Sequence, residues 1–341
     1  MTRAQAQMRR LNHGWTSAGP ELRGILLMCV STVGFAIMHV LIRYASAELH
    51  PVQIAFFRNF FGVLVFLPIL ARHGVGFLRT DRLGQHAGRS VLNIGAMFMF
   101  FYALSITEVA RVTALAFSAP IYAAILSVVF LGERFRWHRW GAIAVGFLGM
   151  LIVLRPGLIP LELGPLLVVC SSFLWAICMI IIKVMSRTES SLSIVAYMNI
   201  FLALFSVGPA IWLWQWPSIE GWCLMAAIGV TGTLGQLGLS QALAETEPSV
   251  VMPFDFLRLI WVAALGYWFF GEIPDVYVWI GGAVIFASGF YLAWREGQNR
   301  RGRRDAETRA RAAGPGRSGP APAAPRQLRD QPEGRRPDEA G

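Results

Sequence analysis

Tyr102-Ala103-Leu104-Ser105-Ile106-Thr107-Glu108 returns 139 residues later as Gln241-Ala242-Leu243-Ala244-Glu245-Thr246-Glu247, with the alanine, leucine, threonine and final glutamate kept in place. The same offset lays Gly132-Glu133 on Gly271-Glu272, and Trp140, Ala144, Val145 and Phe147 on Trp279, Ala283, Val284 and Phe286. Further upstream the offset is 140. There Ala36-Ile37 falls on Ala176-Ile177, Arg43 on Lys183, Ser46 on Ser186, and Ile54 and Asn59 on Ile194 and Asn199. One ancestral unit has been duplicated. Its copies run over residues 22–154 and 163–294, between an N-terminal segment 1–21 and a tail 295–341.

Each copy is mostly apolar, which points to a membrane protein rather than a soluble repeat array. Hydrophobic residues make up 55% of the 341 and charged residues 15%; a soluble chain of this length does not keep that balance in solution. From Arg295 onward there are 12 Arg against 7 Asp or Glu, so half of the formal charge of +10 sits in a tail rich in Pro, Gly and Ala. That composition predicts disorder. The tail has no aromatic residue to stack on a base and no zinc-ligand pattern, so no nucleic-acid partner is expected. Contact with anionic lipid head groups and a plain solvated extension both remain open.

Ten apolar segments, each near the roughly 20 residues of a bilayer-crossing helix, fall at 22–45, 52–71, 87–107, 112–131, 137–154, 163–185, 192–213, 221–243, 249–270 and 274–294. Backbone in lipid must satisfy its own hydrogen bonds, so the expected fold class is an all-α polytopic bundle. Arg3, Arg9 and Arg10 precede the first segment; Arg72, Arg79, Arg82 and Arg89 fill or border the second loop; Arg134, Arg136 and Arg139 fill the fourth; Arg300 to Arg304 follow the tenth. All these places share one side, which predicts cytoplasmic termini. Five segments per copy force the second copy to enter from the opposite side. The loops record this: Arg134, Arg136 and Arg139 align with Ile273, Asp275 and Val278. Two inverted five-helix repeats are a recurring plan of secondary transporters. Ala45-Ser46-Ala47 looks like a signal cleavage site, but the preceding apolar stretch is long and has an internal twin, so the first helix is expected to be retained.

Charges inside a span are costly and usually face a cavity or a partner. Arg258 lies about 14 Å into the ninth segment and Arg58 about 9 Å into the second, at 1.5 Å per residue. Asp255 precedes Arg258 by three residues on the same helix face. None has a charged twin: Arg58 aligns with Met198, Arg258 with Ala119, and Phe256, beside Asp255, with Phe117. Two readings stand. Asp255 and Arg258 neutralise each other structurally while Arg58 snorkels to the surface, or the arginines clamp a carboxylate or phosphate with their planar fork. Substrate would then be anionic or zwitterionic. Tyr102, Gln236 and Trp261 join the candidate lining, with Phe98, Phe100 and Phe101 as aromatic neighbours whose alternative role is packing or lipid contact. His39 and Asp255 are the candidate proton carriers. Arg43 and Lys183 read as snorkelling anchors.

Gly229, Gly232, Gly235 and Gly238 recur every three residues beside Thr231, Thr233 and Gln236, a spacing that brings another helix close and leaves the polar neighbours as candidates to face the cavity. Pro120 and Pro253 are candidate kinks. Cys29, Cys170, Cys178 and Cys223 lie within spans without paired spacing and read as small core residues, with no metal site expected.

With ten spans in a five-plus-five repeat, Leu131-Gly132-Glu133 closing the fourth and Phe270-Gly271-Glu272 closing the ninth, the chain resembles the drug/metabolite transporter superfamily, and within it the EamA family of bacterial inner-membrane carriers. The resemblance covers residues 22–294. It implies a carrier of amino acids, metabolites, vitamins or drugs. His50-Pro51-Val52-Gln53-Ile54-Ala55-Phe56-Phe57-Arg58-Asn59 is further similar to members that take up riboflavin or S-adenosylmethionine. The superfamily's small multidrug pumps carry a membrane-embedded Glu in their first helix, whereas residues 24–44 hold no acid, so the resemblance does not extend to that antiport mechanism.

The single lysine, Lys183, follows Ile180-Ile181-Ile182, so no phosphate-binding loop is present; no nucleophile elbow or metal-ligand motif appears either. A secondary carrier without cofactor is the reading. Its expected partners are a small-molecule substrate and the lipid bilayer, with a second copy of the chain as a candidate homodimer partner. A membrane-embedded enzyme or assembly factor is the alternative of another class.

Overall fold

The computed structural model describes residues 19–73, 80–131, 137–156, 162–185, 188–246 and 248–312. Among these the chain is all-α. Its helices are α1 (Pro20–Ala45), α2 (Pro51–His73), α3 (Leu83–Ile106), α4 (Val109–Ala116), α5 (Ala119–Leu131), α6 (Trp137–Leu154), α7 (Leu163–Met185), α8 (Ser191–Trp212), α9 (Ile219–Glu245), α10 (Pro248–Asp255), α11 (Leu257–Phe270) and α12 (Val276–Ala312). Seven apolar stretches are long enough to cross a bilayer, and three apolar helices, Trp140–Leu154, Leu257–Phe270 and Val276–Leu292, are shorter. The α12 helix runs on through Ala312, where the sequence reading placed disorder from 295. Arg, Ala, Glu and Gln favour helix, and the first proline of the tail is Pro315. Residues 313–341 lie outside the described residues, as do Gly132, Glu133, Arg134 and Arg136.

Local chemistry sets the helix ends. Pro20 opens α1 in the first turn, where its missing N–H costs nothing. Ser190 and Ser218 cap α8 and α9 by accepting from the Ser193 and Gly221 amides. Gly271 ends α11 at φ +66, and the amides of Gly271 and Glu272 reach back to the Tyr267 and Gly266 carbonyls at 2.9 and 3.3 Å. That is the glycine-dependent helix stop. It explains the Gly-Glu element, because the turn then projects Glu272. One Glu272 oxygen accepts from the Val109 amide at 3.1 Å, where α4 begins and a negative charge is favoured, and the other lies 3.7 Å from Arg43. Arg43 also donates to the Ser105 carbonyl. It is thus tied into an ion pair instead of snorkelling free. The Lys183 side chain lies outside the described residues.

Two expected spans are broken. The fourth parts at Phe117-Ser118 between α4 and α5, and the ninth at Phe256 between α10 and α11. Pro120 has no N–H to offer the Ala116 carbonyl, which accounts for the first break. Pro253 lies inside α10, three residues ahead of the second. Phe117 and Phe256 are 139 residues apart, so both copies break at the same place.

Contacts between twin elements reveal the inversion. Along α2, Gln53 donates to the Gln215 carbonyl, Arg58 to Asn199, and Phe66 packs in one cluster with Val195 and Leu202. Numbers rise on one helix as they fall on its twin, so α2 and α8 run antiparallel. A twofold axis perpendicular to both produces this arrangement. The same axis maps the α1/α9 pair onto α7/α3. A Cβ on Gly34 would lie 3.3 Å from Gly235, and a Cβ on Gly95 would lie 3.7 Å from Leu174, the twin of Gly34. The glycines of α9 pack as their spacing predicts: Gly235 on Phe35, Gly238 on the Leu27 carbonyl and Ser31, Gly229 on Phe61. Ser31 Oγ donates to the Gly235 carbonyl at 2.6 Å, tying α1 to α9.

Candidate functional site

Arg58 sits where the two copies meet. It is buried, 4% exposed, on α2, and its Nη1 donates to Asn59 Oδ1 at 2.7 Å and to Asn199 Oδ1 at 3.2 Å. Asn59 and Asn199 are twins, so one unrepeated arginine bridges the two copies of a repeated asparagine. Asn59 is aimed by its own amide, whose Nδ2 donates back to the Ala55 carbonyl at 2.7 Å. Among the described residues no ion pair involves Arg58. Its Nε, together with Asn199 Nδ2 and Thr233 Oγ1, is buried without a partner among the described residues. A Cβ on Gly62 would meet Thr233 Oγ1 at 2.8 Å and Asn199 Oδ1 at 3.1 Å, and one on Gly232 would meet Arg58 Nε at 3.2 Å. Glycine at these two points is what lets the polar atoms converge. An arginine stays charged, and a buried charge without a counter-ion costs several kcal/mol. The amide oxygens offset part of that, and an acceptor-only group would satisfy the remaining donors.

The second centre lies at the α10/α11 break. Arg258 Nη2 and Asp255 Oδ2 are 2.7 Å apart, each side chain 18% exposed. Asp255 is the last residue of α10 and Arg258 the second of α11. Helix dipoles disfavour both placements, since anions suit helix starts and cations helix ends, by roughly 0.3–1 kcal/mol each. A pair serving only as scaffold gains nothing from this order. The positive start of α11 with Arg258 suits an anion, and the carbonyl end of α10 with Asp255 suits a cation. The guanidinium lies 5.1 Å from the Phe117 ring centre and 5.5 Å from that of Phe35. Phe117 and its twin Phe256 are 6.1 Å apart, and Phe286 lies 5.9 and 4.8 Å from them. Three phenylalanines thus wall the break with flat apolar faces.

One stretch of α1 touches both centres. Met38 lies against Gly232 beside Arg58, and Phe35 faces Arg258. His39 is 3% exposed, with Nδ1 3.3 Å from Thr113 Oγ1 and its ring edge-on to Phe100 at 5.2 Å. The remaining expected residues separate. Gln236 is half-buried on α9. Tyr102, 37% exposed, lies near His50, and Trp261 is 42% exposed beside the exposed Ile260; nothing among the described contacts joins either to an arginine. Phe101 is core, and Phe98 packs with the Phe66 cluster. The four cysteines are free thiols, and no group of His, Cys, Asp or Glu among the described residues could hold a metal. Sequence reasoning missed Asn199, Phe35 and Phe286 as site neighbours, and marked Thr233 only as a polar neighbour of the α9 glycines. The repeat had already marked Asn59 and Asn199 as twins, which was the usable signal.

A comparison with known proteins bears on this geometry. The chain is 31% identical to an S-adenosylmethionine uptake transporter of Rickettsia bellii, over 80% of this chain and 94% of that one. It is 31% identical to a riboflavin transporter of Vibrio cholerae, over 83% and 97%, and 27% identical to a pseudopaline exporter of Pseudomonas aeruginosa, over 79% and 95%. A crystal structure superposes with a TM-score of 0.54 at 18% identity, covering 78% of this chain and 98% of that one, which shows a shared fold. The profile of the EamA-like transporter family matches residues 22–155 and 162–294, one copy of the repeat each. With two broken twin helices, an inverted repeat and this match over most of its length, the chain belongs to the EamA-like transporter family of membrane proteins.

Proposed function

We propose that the protein is a secondary carrier, not an enzyme, that takes up a zwitterionic metabolite bearing a flat ring, of the S-adenosylmethionine type, by alternating access. The carrying observation is Arg58, a buried guanidinium held by twin asparagine oxygens with no carboxylate beside it among the described residues. A substrate carboxylate fits that centre by two parallel hydrogen bonds. The Asp255 end of α10 suits the ammonium or sulfonium charge, and Phe117, Phe256 and Phe286 suit the ring by stacking. The uptake transporters among the relatives support this direction. The arginine-rich ends of the chain support a bacterial inner-membrane setting with both termini in the cytoplasm. Riboflavin is the second reading, favoured by the relative from Vibrio cholerae and by the same phenylalanines.

Proteoliposomes loaded with unlabelled S-adenosylmethionine test it. Saturable counterflow of radiolabelled S-adenosylmethionine, recovered chemically intact, is expected. Saturable riboflavin movement with none of S-adenosylmethionine would select the second reading. Chemical conversion of the solute would make the protein an enzyme and end both.

A further inference from the structure

A second group of buried polar side chains lies on α3, away from both centres. His86, Arg89, Ser90 and Asn93 follow one helix face at the three- and four-residue spacing that brings side chains together. They are 0, 1, 0 and 3% exposed. His86 Nδ1 and Nε2, Arg89 Nε and Nη1, Ser90 Oγ and Asn93 Nδ2 have no protein hydrogen-bond partner among the described residues. The guanidinium is held at one corner only, by Nη2 donating to the Ile194 carbonyl at 3.3 Å. Across from it stand Cys178 of α7, 3.6 Å from the Arg89 carbonyl, and Tyr197 of α8, whose ring lies 4.6 Å from His86. The neighbouring acid Glu189 is engaged by Thr80 Oγ1 at 2.6 Å.

The repeat gives an internal control. Twins of His86, Arg89, Ser90 and Asn93 are Met225, Ile228, Gly229 and Gly232, an apolar and glycine face closed against α1 and α2. Packing therefore did not require polar residues at these positions, and the polar set belongs to one copy alone. Four buried side chains whose donors lack an acceptor carry a desolvation cost, greatest for the guanidinium. Every orphaned atom is, or can be, a donor, so the complementary ligand is an acceptor with several oxygens.

We propose that His86, Arg89, Ser90 and Asn93 form a second oxyanion site, distinct from the Arg58 centre, that takes a carboxylate or phosphate group. Arg89 lies about 12 Å nearer the start of α3 than Met97, at 1.5 Å per residue, and Met97 is a residue of α3 that touches Asn59. The site stands on the α3 geometry and does not depend on the substrate reading above.

The test uses the full chain in nanodiscs of neutral lipid, with thermal unfolding followed as acetate or inorganic phosphate replaces chloride at constant ionic strength. Saturable stabilisation by one of these anions is expected, kept in Arg58→Gln. In Arg89→Gln the half-saturating concentration should rise about tenfold or more. Asn93→Asp places a carboxylate one turn from Arg89, so it should raise the melting temperature without added anion and, combined with Arg58→Gln to silence the other oxyanion centre, abolish the shift. This second variant decides the matter where Arg89→Gln fails to insert. Three results would overturn the site: no saturable shift, a shift unchanged in Arg89→Gln or in Asn93→Asp combined with Arg58→Gln, or a shift lost in Arg58→Gln alone. Stabilisation seen only when phosphatidylglycerol replaces the neutral lipid would do so too, assigning the effect to a lipid head group at the surface.

Discussion

Replacing Arg58 by Gln leaves an amide able to reach Asn59 and Asn199 but removes the charge. On the proposed mechanism the KM for a zwitterionic solute rises ten- to a hundredfold, the equivalent of losing roughly 1.5–3 kcal/mol of charge-assisted hydrogen bonding. Initial-rate uptake in proteoliposomes reads this, and an unchanged KM would remove Arg58 from the site. At the second centre, single changes confound, because Arg258→Ala strands Asp255 in a dry place. The double change Asp255→Asn with Arg258→Gln avoids that, and it should insert normally and weaken transport. Wild-type affinity in the double variant would leave the pair a structural one. Glu108 tests a different point, outside the spans. Partial burial and then the Glu272 carboxylate raise its pKa above the ordinary range, with Asp275 and Glu162 adding to the rise and Arg111 opposing it. The folded chain therefore holds this proton more tightly than the unfolded one. The associated stability is full below the ordinary value near 4.3 and is lost as pH rises through the folded value. Glu108→Gln should then melt higher than wild type at neutral pH, with the gain vanishing near pH 4; a gain independent of pH would contradict the assignment. Arg58, Asp255 and Arg258 were legible in the sequence because a charge in an apolar run stands out. Phe35 was not, since a phenylalanine in such a run is ordinary and only the packing of α1 against α11 brings it to Arg258.

At the scale of the element, Gly271 carries the end of α11. Its φ of +66 is open to glycine and costs another residue about 1–2 kcal/mol, while no atom lies within 4 Å to obstruct a side chain. Gly271→Ala should lower stability by that amount, and Gly271→Asn by less, since Asn tolerates the left-handed region. Equal losses in thermal unfolding would point to sterics instead of backbone conformation. Gly149 is the opposite case. A Cβ there would lie 2.9 Å from the Gly281 carbonyl oxygen across the α6/α12 crossing, so Gly149→Val should cost more, about 1–3 kcal/mol by overpacking. The apolar runs made most helices readable, and the three-residue spacing of the α9 glycines marks them as packing residues. The helix breaks were less legible. Pro120 and Pro253 marked both spans as candidates for a kink, but Pro253 removes a bond to the Ser249 carbonyl and not one at Phe256, so the offset of 139 from Phe117 places the second break more closely. The continuation of α12 was missed because charge and low hydropathy signal disorder whether or not the residues also favour helix.

For the whole molecule, the antiparallel crossing of α2 on α8 makes a firm demand on topology. Reporter fusions after Arg139 and after Asp275 should report opposite sides of the membrane, and a common side would contradict the crossing. Truncation after Ala312 should leave uptake unchanged, because the residues beyond it have little apolar surface to bury; normal expression with lost uptake would show otherwise. A carrier made of two identical inverted halves would have inward- and outward-facing forms of equal energy, populated one to one. Here the halves differ where they touch. Gly34 against Gly235 on one seam has as its twins Leu174 and Ala96 on the other, and a lone guanidinium stands between the twin asparagines. Such differences lift the degeneracy, and every 1.4 kcal/mol of bias changes the ratio of the two forms tenfold. The resting orientation of the empty carrier is then a property written into its unmatched residues, available to drift and selection one substitution at a time while the shared scaffold stays as it was duplicated.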